Sequence, residues 1–187
     1  MDTKTHIIRI FYQLVSEKGY VNATISEVCK RANISKGSIY HHFKSKEELL
    51  YAVLNFVFSK DQIIIFNMDN LKASNYKDKL IEMGKNYLNL NKSDKHYTQF
   101  RNEFIVLSLR DDKIKDYMVK LFYEYMELFR NLLEKLKEEK LIKESYDIET
   151  KATQLFMILD SMILYQSFNM DLDYESVWID FIEEIFK

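Results

Sequence analysis

The chain has 187 residues, 47% apolar and 30% charged, with three glycines, no proline and a single cysteine. That length suits one domain or two small ones, the scarcity of turn residues excludes most sheet folds, and one cysteine excludes an intrachain disulfide framework and a cysteine-cluster metal site. The formal net charge of −2 hides an asymmetry: residues 1–50 hold eight Lys/Arg against five Asp/Glu, and residues 24–46 five against one, so a small basic head sits on an acidic body.

No apolar run approaches the roughly 18 to 20 residues that span a bilayer. The opening MDTKTHIIRIFYQL lacks the basic start and cleavage site of a signal peptide. A cytoplasmic protein without membrane contact is expected.

The first helix is expected from about Thr3 to Lys18, where Ile7, Ile10, Phe11, Leu14 and Val15 recur at helical spacing and Gly19 provides the stop. Thr24-Ile25-Ser26-Glu27 is a capping box that opens a second helix. Ile25, Val28, Cys29 and Ala32 form its apolar stripe, so Cys29 reads as packing; as a redox sensor it would lack a second thiol within the chain. A third helix starts at Ser35, with Ile34 and Ile39 placed as a hydrophobic staple, and Ser45 to Glu48 caps a fourth. Two short helices joined by a tight turn at Asn33-Ile34, braced by flanking helices, have the shape of a helix-turn-helix.

At about 100° per residue, Ile39 and Phe43 face the core of that head. Gly37, Ser38, His41 and Lys44 lie on the opposite side, with Tyr40 alongside. A glycine in so short a helix costs about 1 kcal/mol against alanine, which close approach of the backbone to a partner would explain. His41 and His42 are sequence neighbours and diverge by that same angle, so they cannot jointly hold a metal as an i, i+4 pair does. No metal or other cofactor is expected.

Gly19-Tyr20, Thr24 and the run ISKGSIYHHFKSKEELL together resemble the N-terminal domain of TetR-family transcriptional regulators, over about residues 5–55. The resemblance implies an all-α protein: a three-helix helix-turn-helix DNA-binding domain over 1–46, then a helical effector-binding and dimerisation domain over 47–187. It implies a homodimer on a palindromic double-stranded DNA operator, a repressor released by a small-molecule effector. It places phosphate contacts at Thr24, Ser35, Tyr40 and Lys46, contacts to bases or close to the groove at Lys36, Gly37, Ser38 and His41, and His42 at the backbone. Lysine donation to guanine and hydroxyl contacts to phosphates agree with this. Tyr40 equally suits half-buried packing, and Thr24 and Ser35 suit plain caps.

Six further helices are expected at about 46–67, 75–91, 96–109, 113–140, 147–169 and 173–186, about nine in all. The stretch LFMILDSMILYQSF (155–168) is apolar nearly all round and should be buried on most sides. Its acid, Asp160, reads as paired or interface-facing rather than as a pocket group. The last two helices resemble the family's dimerising pair, with Met162, Tyr165, Trp178, Phe181, Ile182 and Ile185 as interface residues; Trp178 could equally anchor the intrachain core. Tyr87, Tyr97, Phe100, Phe104, Tyr123 and Tyr165 are candidates for lining an apolar or aromatic effector's pocket, although such stripes are more often plain core. No phosphate loop, HExxH, nucleophile elbow or inward pair of acids is present, so an enzyme is not expected. The competing reading is a helical small-molecule-binding or scaffold protein without operator binding.

Overall fold

The computed structural model describes residues 2–66, 76–89, 94 and 96–186, and among these the chain forms nine helices and no strand. They are α1 (Thr3–Asn22), α2 (Ile25–Ala32), α3 (Lys36–His42), α4 (Lys46–Phe66), α5 (Tyr76–Leu88), α6 (Tyr97–Ser108), α7 (Asp112–Glu138), α8 (Ile148–Gln166) and α9 (Tyr174–Ile185). The all-α expectation holds, and the expected helix ends at 67, 75 and 91 lie outside the described residues.

With no proline to start helices, short polar side chains do it. Asp2, Asp147 and Asp173 accept from the amides of Thr5, Thr150 and Ser176 at 2.9, 2.8 and 3.0 Å. Asp111 takes two amides, those of Lys113 and Ile114. Each carboxylate satisfies donors left orphaned by the first helical turn. Hydrogen bonds from the same three residues hold the Asp2, Asp147 and Asp173 carboxyls below their ordinary value of 3.8.

Packing divides the chain into two compact units, Met1–Gln62 with Asp94–Val106, and Ile63–Ser93 with Leu107–Lys187. In the first, Ile7, Phe11, Leu14 and Val15 of α1 meet Val28 of α2, Ile39 of α3 and Leu49, Val53 and Leu54 of α4, all buried. Residues of α6 complete this core. Phe100 stands edge-on to Tyr12 at 5.2 Å, and Phe104 lies against Phe58 at 5.5 Å. The head expected over 1–46 therefore shares its core with more of α4 and with a helix some fifty residues further on.

In the second unit α7 and α8 pack along one another. Leu121, Tyr125, Phe129 and Leu133 of α7, and Leu155, Leu159 and Ile163 of α8, are buried, and Phe156 packs on Phe122 and Tyr125. The α8 stretch is less enclosed than its composition suggests, because Met157, Tyr165 and Phe168 are exposed. Helix α9 lies on α5 through Trp178, which is fully buried and donates its indole N–H to the Leu80 carbonyl at 2.9 Å. Gly84 makes this possible, since a Cβ there would overlap the indole ring.

Two outcomes follow from these contacts. Gly84→Ala overpacks a site with no room and should destabilise the protein by about 1–3 kcal/mol, read as a drop of several degrees in Tm by circular dichroism. A depressed folded-state carboxyl contributes stability that is present above its unfolded value and lost as pH falls through the folded one. Asp147→Asn, which caps equally well without titrating, should keep neutral-pH stability and lessen the loss in acid, measured by urea unfolding from pH 7 down to pH 3.

Candidate nucleic-acid interface

The turn between α2 and α3 rests on Asn33, the C-cap of α2, in the left-handed region at φ 54, a conformation asparagine tolerates better than most residues. The amide of Ile34 returns to the Cys29 carbonyl at 3.1 Å. Ser35 then caps α3 by accepting from the Ser38 amide at 3.1 Å. At the start of α2, Thr24 accepts from the Glu27 amide at 3.2 Å. The Glu27 carboxylate pairs with Lys18 of α1, so this capping box has a cap on one side and an inter-helix ion pair on the other.

Helix α3 has two distinct faces. Ile39 and the following Phe43 are buried, whereas Lys36, Gly37, Tyr40 and His41 are exposed and Ser38 and His42 are half-buried. Thr24 and Ser35, at the starts of α2 and α3, are exposed as well. Of the nine expected DNA-facing residues six are thus exposed and three, Ser38, His42 and Lys46, are half-buried; Tyr40 is only half exposed, in keeping with either of its two readings. A Cβ added at Gly37 would meet only the Ser35 hydroxyl, at an ordinary 3.6 Å. Nothing among the described residues requires a glycine there.

The cations near this face divide by role. Arg31 is tied to Glu17 of α1 at 2.7 Å; that bond raises the guanidinium above its ordinary range and holds the carboxyl below its own. Lys30, Lys36 and Lys44 make no ion pair among the described residues. His41 and His42 touch edge to face at 5.1 Å, and no cluster of three metal-ligating side chains occurs among the described residues.

Lys46 differs from the others. Its ammonium donates to the carbonyls of Tyr20 and Val21 at 2.5 and 3.2 Å and sits 4.3 Å from the centre of the Tyr20 ring. Burial pulls it below the ordinary lysine range. Two of its donors serve the turn that follows α1, a role that its expected phosphate contact did not include. The same turn shows what sequence reasoning missed. Gly19 adopts φ +79, Ala23 closes the turn by donating to the Gly19 carbonyl at 3.1 Å, and Glu103 of α6 accepts from the Tyr20 amide at 2.6 Å. The Gly19-Tyr20 pair was visible as a motif; nothing local marks a glutamate 83 positions away.

Most residues of the two sets expected in the body are buried within the chain. Trp178 and Ile182 are fully buried, and Ile185 and Met162 nearly so, because the indole lies against Gly84 and Leu80. These four build the intrachain core and present no surface to a second subunit. Tyr165 is 48% exposed and Phe181 partly so. The six pocket candidates are divided between the two units. Tyr97, Phe100 and Phe104 are core of the first unit, Tyr87 is core of the second, and Tyr123 and Tyr165 face outward. A cleft of about 590 Å³ in the second unit, walled by Leu88, Gln166, Met170, Leu172 and Tyr174 among others, is lined by none of the six.

A family model for bacterial regulatory proteins of the tetR family matches residues 12–53. YerO, an HTH-type transcriptional regulator of Bacillus subtilis (strain 168), is 30% identical over 140 residues, 71% of this chain and 46% of YerO. The chain belongs to the TetR family. The HTH-type transcriptional repressor NemR of Escherichia coli (strain K12) is 30% identical over 88 residues, 47% of this chain and 44% of NemR. In sequence, the match therefore spans less than half the length of either relative. The structure of a TetR-family transcriptional regulator from Rhodococcus sp. superposes with a TM-score of 0.80 at 15% identity, covering 98% of both chains. The likeness there is one of fold.

Within this TetR-family head, Thr24 and Ser35 act as caps whatever else they touch. Thr24→Ala and Ser35→Ala should each cost about 1 kcal/mol of stability, and the glycine variants only a few tenths. Chemical denaturation without DNA checks this; unchanged midpoints would mean that the hydroxyls do not cap.

Proposed function

We propose that the chain is a sequence-specific DNA-binding transcriptional regulator, a homodimeric repressor that holds a palindromic operator and is released by a small apolar or aromatic effector. The observation that carries this reading is the outward face of α3. Lys36, Gly37 and His41 are exposed together, and the glycine answers to no neighbour among the described residues. A helix that gives up about 1 kcal/mol for a residue without a side chain gains from it where its backbone approaches something else closely. A major groove edged by phosphates suits that face: Lys36 can donate to guanine, and the hydroxyls and His41 can reach backbone oxygens.

Dimerisation is supported by apolar side chains that α8 and α9 keep out of the core: Met157, Tyr165, Phe168 and Val177 are all about half exposed or more. Met157, Ser161, Leu164, Tyr165 and Phe168 recur at helical spacing, which makes one stripe along α8. A two-fold axis lets such a stripe cover itself. Repression draws support from NemR, which is a repressor. Release would follow if the effector favours a dimer whose recognition helices no longer sit in successive major grooves, roughly 34–36 Å apart. Such a regulator works in the cytoplasm, where its operator lies.

The test is operator binding by fluorescence anisotropy across a salt series. Affinity should fall linearly on a log–log plot as counterions are released. Lys36→Ala and His41→Ala should weaken binding about tenfold each, within the range a base contact contributes, with helicity unchanged. Gly37→Ala is the sharper variant: it should raise thermal stability by up to about 1 kcal/mol and yet weaken binding. Absence of any protected palindrome in footprints at low salt would remove the reading and leave a helical small-molecule-binding or scaffold protein.

A further inference from the structure

We propose that Glu103 is a positioning residue of the DNA-contacting head, its carboxylate fixing the Gly19–Val21 turn and with it the start of α2. For its functional consequence the proposal rests on the reading of the head as a DNA reader; its structural content does not.

The non-helical conformation of Gly19 breaks the hydrogen-bond ladder of α1, so the next amide needs a new acceptor. The Tyr20 amide finds it in Glu103 Oε1 at 2.6 Å, a charge-assisted bond stronger than a neutral one. The approach depends on glycine, since a Cβ at position 19 would stand 3.0 Å from that same oxygen. On the other side, the Lys46 ammonium takes the carbonyls of Tyr20 and Val21. Tyr20 is thus held by an anion on its N–H and a cation on its C=O, which fixes the orientation of the turn as well as its place.

Glu103 is itself held on a rigid platform. Phe100 and Phe104, on either side of it in α6, pack on Tyr12 of α1 and Phe58 of α4, and Ser16 of α1 donates to the His96 carbonyl at 3.1 Å. From Gly19 the consequence runs forward without slack. The Gly19 carbonyl accepts from Ala23, Ala23 is fully buried, and Thr24 caps α2. Any shift of the turn moves Thr24 and the first turn of α2, and with them the core contacts of Val28 that seat α3. Glu103 lies outside residues 12–53, the part matched by the family model, and belongs to the head by contact alone.

The experiment uses the full chain and two variants. Glu103→Gln keeps an oxygen at the same reach, whereas Glu103→Asp is one methylene short. Amide hydrogen exchange at residues 19–24 is measured without DNA, and binding is measured with a labelled duplex of the chain's own upstream region at low salt. Exchange in E103D should quicken about tenfold, the factor that loss of about 1.4 kcal/mol gives, while E103Q stays within about threefold of wild type, since it loses the charge but retains the bond. Duplex affinity should follow the same order, with helicity constant across the three proteins. Wild-type protection of the Tyr20 amide in E103D overturns the proposal. So does quickened exchange with unchanged affinity, where wild type binds. Should wild type bind no duplex, the DNA-regulator reading fails, and exchange alone still decides whether Glu103 fixes the turn. If E103D does not fold, an unprotected Tyr20 amide in the wild type overturns the proposal.

Discussion

At Gly19, near the end of α1, the backbone turns with φ +79 and brings the next peptide against the Glu103 carboxylate, an oxygen of which a Cβ on residue 19 would crowd at 3.0 Å. The geometry of the head follows from this turn. It sets where Thr24 begins α2, α2 and Asn33 set where Ser35 begins α3, and α3 presents Lys36, Gly37 and His41 outward. The ion pairs Lys18–Glu27 and Arg31–Glu17 tie α1 to α2 on either side of the same corner. Exposed pairs of this kind contribute little stability singly. Two of them flanking a fixed turn restrict rotation of one helix on the other.

Much of the head was legible because its signals are local. A cap is a residue and its neighbour three positions on, so Thr24, Ser35 and Ser45 announced three helix starts, and all three hydroxyls accept the expected amides. The inward placement of Ile39 and Phe43 follows from periodicity alone. The body was legible only as helices. An apolar residue at helical spacing says that something covers it but not what, and so Trp178, Ile182 and Ile185 read equally well as interface or core. Gly84 decided between them, and a glycine that admits an indole from another helix looks like any other glycine in one dimension. The pocket candidates were hard to place for a related reason. Tyr97, Phe100 and Phe104 carry no mark in the sequence that they belong to one unit and Tyr87 to the other.

The three glycines serve three separate physical needs. Gly19 supplies a backbone angle, Gly84 leaves room inside the core, and Gly37 leaves a surface bare. Among the described residues the last alone has no explanation, which is why it points outward to a partner. The exposed Met157, Tyr165 and Phe168 make a similar argument in the second unit: apolar area left uncovered on α8 and the turn after it.

A head built from 1–62 and 94–106 has a consequence for how the protein is made. Chains emerge from the ribosome N-terminus first, and domains generally fold as units in that order. Here the first segment emerges with Tyr12 and Phe58 facing partners that do not yet exist. Neither its aromatic core nor the amide of Tyr20 is satisfied until α6 has followed. The part of the molecule that comes first in sequence is therefore not complete first in time, and shortening the gene to its recognisable N-terminal motif would yield a fragment without the part of the core that α6 supplies.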